Sequence, residues 1–318
     1  MIESNHIEIV VVGSLNMDLV VRSPHLPVPG ETILGNSFAT YEGGKGFNQA
    51  IAARRAGGQV AFVGKVGRDD FGDRLEEALK QEGILRQFVT RGENSTGIAN
   101  VWVGEDGANK IIVVPGTNNE VTPKEIEAAS ELLSSAGVLL LQLEIPIATC
   151  TKAAQLVRRG GGRVLLTAAP VPIEPLPVEL FEAVSLLMVN ENEALQMAAL
   201  LGMPIFKEGE EIEAGRSILT QVGSSLEAIV ITLGSKGALW ISSERVEHSE
   251  GFKVKAVDTT AAGDTFTGAL AVGLQRGLPV PELLRFANAA GAISVTRKGA
   301  YPSIPYEAEI DRLHCLLN

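Results

Sequence analysis

Cysteine is nearly absent from this chain of 318 residues: Cys150 and Cys315 are the only two. They build no disulfide framework and form no pair with metal-ligand spacing, which is the usage of a reducing cytoplasm. An excess of positive charge is also missing. Lys and Arg number 27 against 38 Asp and Glu, a formal net charge of −11. That balance disfavours non-specific binding to nucleic acid or an anionic membrane, yet permits a local anion site. No apolar run approaches the ~20 residues of a membrane helix. The opening "MIESNHIEIVVVGS" has no basic n-region, and Ile9 to Val12 is too short for a signal peptide. Without a secretion signal, the sequon Asn94-Ser95-Thr96 reads as chance. Internal repeats, low-complexity tracts and linkers are absent as well. The expectation is one cytoplasmic domain, 1–318, with no nucleic-acid or membrane partner.

Short apolar runs stand out among what is present: "IEIVVVG" from Ile7, "VAFVG" from Val60, "VLLLQL" from Val138, "RVLLT" from Arg163, "SLLMVN" from Ser185 and "AIVITLG" from Ala228. Nearly continuous apolar runs suit strands buried on both faces of a parallel sheet. Helical stretches alternate with them. Phe47 to Ala56 is alanine-rich, Asp70 to Gln81 is amphipathic, and Thr122-Pro123-Lys124-Glu125 reads as a cap and helix start. A helix is expected over Thr265 to Arg276, and the remainder is mainly helical. The alternation predicts a doubly wound α/β domain. Two segments break it. Met17 to Thr40 is strand-like around Pro24, Pro27, Pro29 and Gly30, and "GIANVWVGEDGANKIIVVP" from Gly97 carries a hairpin signal. They predict a small β-sheet lid, from segments at approximately 16–42 and 96–116. A lid over the sheet's carboxyl edge would exclude water from phosphoryl transfer.

The chemistry-bearing motifs fall at strand ends and helix starts. "DTTAAGDTF", 258 to 266, places Asp258 and Asp264 around small residues. Free N–H groups of a helix's first turn bind anions, so this stretch offers an anion cradle with a carboxylate beside it. In "GSLNMDL", Asn16 and Asp18 face one side of an extended segment and could hold vicinal hydroxyls; an Asx turn is the bland alternative. "EGGKGFNQA", 42 to 50, is neither a Walker A loop nor a dinucleotide fingerprint. It leaves close backbone approach to a ligand, with Lys45 and Asn48 as polar contacts, or a tight turn before a helix. Glu144 in "LQLEIP" ends a buried strand, where open α/β sheets bind ligands, or is simply solvated there. "NENE", Asn190 to Glu193, is either a capping box or a phosphate site with one carboxylate reaching magnesium through water. "TLGSKGALW", from Thr232, is a hairpin turn or a nucleotide contact.

Together these motifs resemble the ribokinase/PfkB carbohydrate kinases over essentially the whole chain. "GGKGFNQAIAARRAGGQVAFVGKVG" and "DTTAAGDTFTGA" look like that family's two signatures. "GSLNMD", "LQLEIP", "NENE", "TLGSKG" and "VTRKGAYPS" fall in the order of its ribokinase branch. The resemblance implies a three-layer α/β/α fold with a mainly parallel central sheet and a β-sheet lid. It implies an ATP-dependent sugar kinase, with D-ribose as acceptor and ribose 5-phosphate as product. Asp264 would be the base for the sugar's primary hydroxyl, with the N–H groups of Ala261, Ala262 and Gly263 as anion hole. Asn16, Asp18, Gly44, Lys45, Asn48 and Glu144 match sugar contacts, and Asp264 meets the sugar as well. Asn190, Thr232, Gly234, Ser235, Lys236, Gly237, Gly263 and Asn288 match nucleotide contacts. Glu193 matches a magnesium-associated acid. Asp258, Thr260, Ser294, Arg297, Gly299 and Ser303 match a monovalent-cation site, usually potassium. A homodimer through the lid is also implied.

The chain departs from the family pattern at Thr167-Ala168-Ala169-Pro170, where Asn-Pro-Ala-Pro is usual, and at Phe47, where a small residue is usual. A ring at Phe47 is expected to narrow the sugar pocket or shift a loop. Two other readings stay open: a kinase of the same fold for deoxyribose, a ketose or a nucleoside such as adenosine, and a non-catalytic sugar-binding regulator. The regulator would predict loss of the base or the anion hole, and both Asp264 and Gly263 are present.

Overall fold

Alternate residues of one strand enter different cores. Ile9 and Val11 pack with Leu140, Leu165 and Val230 on one face of a sheet, while Val10 and Val12 pack with Leu139, Leu141 and Ile231 on the other. Burial on both faces is why these runs read as continuously apolar. The structure is a computed structural model describing residues 7–106, 108–223 and 225–315. Its strands are β1 (Ile9–Val12), β2 (Asn16–Ser23), β3 (Ser37–Gly43), β4 (Val60–Val66), β5 (Leu85–Arg91), β6 (Gly97–Gly104), β7 (Asn109–Val114), β8 (Val138–Gln142), β9 (Arg163–Thr167), β10 (Leu186–Asn190), β11 (Ala228–Thr232), β12 (Ala238–Ile241) and β13 (Val246–Ser249). The helices are α1 (Lys45–Arg55), α2 (Asp70–Gln81), α3 (Pro123–Ala128), α4 (Ser130–Ser135), α5 (Ile147–Arg159), α6 (Val178–Phe181), α7 (Glu191–Leu200), α8 (Glu211–Val222), α9 (Ala262–Gln275), α10 (Val280–Ser294) and α11 (Glu307–Cys315).

The large sheet has nine strands in the order β13-β12-β11-β10-β9-β8-β1-β4-β5. Neighbours from β5 to β11 run parallel, and β12 and β13 add an antiparallel hairpin. Helices α1, α2, α9, α10 and α11 cover one face, and α3 to α8 the other. This is the three-layer α/β/α fold the sequence predicts. The smaller sheet, of four strands in the order β3-β2-β6-β7, is the separate sheet expected from the two aberrant segments. β2 pairs with β3 antiparallel and with β6 parallel. Strand β5 has no counterpart among the apolar runs. It lies at the sheet edge and is largely half-buried, so its sequence, LRQFVTR, lacks the continuous apolar signal.

Register brings the strand ends level. Gln142 lies opposite Thr167, Thr167 opposite Met188, and Asn190 opposite Thr232. Chain connections then cross from one sheet to the other beside this edge. β2 begins shortly after β1, and α1 begins directly after β3, so both junctions lie at the carboxyl edge of the large sheet. Among the described residues no helix is long and apolar enough to cross a membrane.

A buried ion pair fastens α1 to the end of α2, and its arginine also reaches the segment after α10. Arg55 and Glu82 have side chains only 8% and 9% exposed. Arg55 also donates to the carbonyls of Tyr301 and Ile304, at 3.1 and 2.7 Å, and the Tyr301 hydroxyl donates to Glu82 at 3.0 Å. The guanidinium stacks over the rings of Tyr301 and Tyr306. Removing one member of a buried pair strands the other charge, at a cost of about 3–5 kcal/mol. Glu82→Ala should therefore lower unfolding stability by about that amount in urea titrations, and Glu82→Gln, which keeps an acceptor, by less. Equal losses in the two variants would show that the charge itself contributes little.

Candidate active site

Asp264 lies in the first turn of α9, which starts at Ala262, three residues before the expected Thr265. The early start follows from Ala261. Its φ of 60° is the only positive value at a non-glycine residue among the described residues, a conformation costing about 1–2 kcal/mol. It turns the chain so that Thr265 N–H bonds the Ala261 carbonyl at 2.8 Å and the helix begins. A Cβ on Gly263 would meet no atom within 4 Å. Glycine at 263 is thus not required by packing, and its backbone faces open space. Of the expected anion hole, Ala262 N–H turns back to the Thr259 carbonyl at 3.2 Å. That leaves Ala261 and Gly263 as the better placed donors. Ala261, Ala262, Gly263 and Asp264 all line one pocket, with Lys45, Thr167, Asn190, Glu193 and Thr232.

Asp264 is buried, and α1 supplies its partners. Asn48 Nδ2 donates to one carboxylate oxygen at 3.2 Å, and Gln49 Nε2 to the other at 3.0 Å. Burial pushes the Asp264 carboxyl above the usual aspartate value, while Lys45 and these two amides pull it back. Burial would lower Lys45, but Asp264, Glu144 and Glu193 outweigh it and hold the ammonium ion above its ordinary value. A protonated lysine beside a buried carboxylate is the electrostatic pattern of a site that handles anions.

The sugar-side candidates converge on the same place. Asn16 and Asp18 open β2, with Asn16 buried and Asp18 half-buried. Asn118 Nδ2 donates to Asn16 Oδ1 at 2.7 Å, which turns the Asn16 amino group away from Asn118. Burial, then Glu144 and Asp264, raise Asp18 to about 7. Glu144 is not merely a solvated strand-end acid. Its Oε2 accepts from Lys45 N–H at 3.0 Å and from Ser14 Oγ at 2.5 Å. The α1 N-terminus has no side-chain cap of its own, and Glu144 caps it across the fold. The glycines ahead of α1 serve this join. Gly44 has φ 93°, and a Cβ on Gly46 would lie 2.6 Å from Ser14 N. The close backbone approach expected toward a ligand is, at Gly46, an approach to the chain itself.

The nucleotide-side candidates divide. Asn190 and Glu193 form the capping box of α7, as one reading of "NENE" had it, and both also line the pocket. Thr232 lines the pocket as well. Gly234, Ser235 and Lys236 form an exposed turn into Gly237, and β11 and β12 pair around it as a hairpin. Asn288, on α10, donates to the Ser249 carbonyl at 3.1 Å and so ties that helix to β13. These residues lie outside the pocket around Asp264. For the expected cation site, Asp258 accepts from Gly299 N–H and Thr260 N–H, each at 3.0 Å. Its backbone N–H bonds the Val295 carbonyl at 3.2 Å. The 294–303 stretch, with Ser294, Arg297, Gly299 and Ser303, is therefore tied to Asp258. Ser294 and Ser303 are buried and donate to the carbonyls of Gly291 and Ala300.

Phe47 corrects one expectation. Its ring is fully buried in the core, edge-on to Tyr301 with centroids 5.5 Å apart, and does not line the pocket. In the first turn of α1, position 47 points at the helical layer while Asn48 and Gln49 point at Asp264. Ser14, Gln49 and Asn118 are the polar residues that motif reading left unassigned. Ser14 and Gln49 lay inside quoted motifs; Asn118 carried no local signal, because its partners are Leu15 and Asn16, far off in sequence.

A pocket at the carboxyl edge of a doubly wound sheet, with a lysine and a buried carboxylate at a helix N-terminus, has the make-up of a group-transfer site. The pfkB family carbohydrate kinase model matches residues 6–307. This chain belongs to that family. Ribokinase of Schizosaccharomyces pombe is 40% identical over 313 residues, covering 96% of this chain and 97% of that protein. Deoxyribokinase of Salmonella typhi is 34% identical over 301 residues, covering 93% and 96%. The solved structure of Arabidopsis thaliana ribokinase complexed with ribose and ATP is 34% identical, with a TM-score of 0.88, covering 97% of this chain and 99% of that one.

Asp18 offers a test of the site's electrostatics. Its carboxyl is raised on folding, so ionising it disfavours the folded state. The penalty is absent below pH ~4, grows between ~4 and 7, and is complete above 7. Asp18→Asn should stabilise the free protein by roughly 1–3 kcal/mol at pH 8 and by nothing at pH 4. Denaturant melts at the two pH values check it, and a pH-independent change would contradict it.

Proposed function

We propose that this kinase is a ribokinase, transferring the γ-phosphoryl group of ATP to the O5 hydroxyl of D-ribose. The observation that carries the proposal is Asp264, buried in the first turn of α9, in one pocket with Lys45 and the backbone of Ala261 and Gly263, and close enough to Asp18 to raise its carboxyl. The O5–H proton passes to Asp264, the O5–P bond forms, and the bond from the γ-phosphorus to the bridging oxygen breaks to release ADP. Burial makes Asp264 a stronger base than an exposed aspartate. Asn48 and Gln49 hold its plane, and the helix N-terminus with Lys45 meets the charge of the phosphoryl group. The names of the relatives support ribose as the acceptor, and the deoxyribokinase at similar identity makes 2-deoxyribose the second reading.

Two cations fit this chain's residues. Glu193 spends one oxygen, Oε2, on its capping box. A single remaining carboxylate oxygen suits magnesium, which keeps most of its waters and would neutralise phosphate charge. Asp258, the Thr260, Arg297 and Gly299 carbonyls and the Ser294 and Ser303 hydroxyls would offer oxygen ligands alone, with one carboxylate among them. That set suits a monovalent cation such as potassium, which would fix the loop beside the helix N-terminus. Among the described residues no cluster of three or more His, Cys, Asp or Glu side chains competes for a metal.

ATP consumption should be measured with D-ribose, 2-deoxyribose, fructose, tagatose and adenosine at fixed magnesium and potassium. A clear preference for ribose is expected. Asp264→Asn should cut turnover by about 10²–10⁴-fold while calorimetric ribose binding persists. Preference for another acceptor keeps the mechanism and moves the substrate. Sugar binding without turnover across the panel would favour the regulator, and full activity in Asp264→Asn would sink the base assignment.

The lid supports a second-copy partner. β7 is an edge strand with every residue exposed, among them Ile111, Ile112, Val113 and Val114. An apolar open edge invites pairing, and a homodimer through the lid would cover it. Sedimentation at micromolar concentration should show a dimer that Ile112→Lys turns into a monomer. A monomeric wild type would overturn this assignment.

A further inference from the structure

Gln49 on α1 and Gln142 at the end of β8 are both fully buried. Ordering a glutamine side chain costs rotamer entropy, and its amide must be satisfied in addition. A pair of leucines would fill the same space without that cost. Their hydrogen bonds form a directional chain. Gln142 Nε2 donates to Gln49 Oε1 at 2.6 Å. Gln49 Nε2 donates one hydrogen to Asp264 Oδ1 at 3.0 Å and the other to Thr167 Oγ1 at 3.2 Å.

The direction of the chain has a cause. An ionised carboxylate only accepts hydrogen bonds. The amide facing Asp264 must therefore present its amino group, which turns its carbonyl toward Gln142. Gln142 must then present its own amino group, and its carbonyl is left over. Asn48 obeys the same rule, giving Nδ2 to Asp264 Oδ2. Asn48 Oδ1 and Gln142 Oε1 are indeed buried acceptors with no partner. Two orphaned carbonyls are the trace of an anionic Asp264 imposing its polarity on the amides around it. Thr167 is drawn in too. Its oxygen accepts from Gln49, so its own proton is free to donate into the pocket that it lines.

We propose that Gln49, locked in one orientation by Gln142, is a positioning residue that keeps Asp264 ionised in a fixed plane and turns the Thr167 hydroxyl proton toward the transferring group. The inference rests on the base assignment made above. Replacing Gln49 by leucine removes one donor from the carboxylate, so ionisation becomes harder and activity is lost at a higher pH. The sugar contacts at Asn16 and Asp18 are untouched.

The experiment compares wild type, Gln49→Leu, Gln142→Leu and Asp264→Asn in initial-rate pH profiles with ribose and ATP. Calorimetric ribose affinity and unfolding temperature are measured on the same samples. In Gln49→Leu, kcat should fall about 10–100-fold, with its acid limb displaced upward by about one pH unit and ribose affinity within about threefold. Gln142→Leu should move the limb in the same direction by less, because Gln49 then loses only its lock. That variant also carries the test if Gln49→Leu fails to fold. An unshifted acid limb in the folded glutamine variants, or a loss confined to ribose affinity, overturns the inference while an inactive Asp264→Asn leaves the base assignment standing. An active Asp264→Asn overturns both.

Discussion

A carboxylate buried at the start of a helix has to be held by something, and in this protein much of the site follows from how Asp264 is held. Burial alone favours its neutral form. Lys45 supplies charge, and Asn48 and Gln49 supply one hydrogen bond to each oxygen. All three are on the first turn and a half of α1. The position of α1 is therefore as decisive for the chemistry as that of α9, which carries the acid itself.

That position is fixed from both ends. At the N-terminus, Ser14 and Glu144 meet the free N–H groups of Gly46 and Lys45, and Gly46 permits the contact with β1's exit. At the other end, Arg55 binds Glu82 and the carbonyls of Tyr301 and Ile304. Between them Phe47 packs on Tyr301. One helix thus joins Ser14 and Glu144, the acid and the segment bearing Gly299 and Ser303. Strain at Ala261 and two orphaned carbonyls are local costs carried by this arrangement, and such costs concentrate where function demands a fixed geometry.

Most of the architecture was legible in the sequence because its signals are local. Apolar runs such as "VLLLQL" and "AIVITLG" became central parallel strands, and the Thr122–Glu125 pattern became a capping box. Edge strand β5 was missed, since a half-exposed strand has no continuous apolar run. The site was legible in part. Asn16, Lys45, Asn48 and Asp264 sit inside motifs whose residue types announce their chemistry. Ser14, Gln49 and Asn118 looked ordinary because their partners lie far off in sequence. The pocket role expected of Phe47 was misjudged, because the direction of a side chain from a helix's first turn depends on what the helix packs against.

The sequence by itself determined the layered α/β class, the separate smaller sheet and the family, through short-range patterns of polarity and glycine that need no partner to be recognised. Only the tertiary structure decided that Glu144 caps α1, that Ala262 N–H turns back on its own loop, and that two buried amides point one way toward Asp264. Those outcomes are set by hydrogen-bond valence and close packing between distant segments. A donor or acceptor acquires its role only once the fold has chosen what stands opposite it.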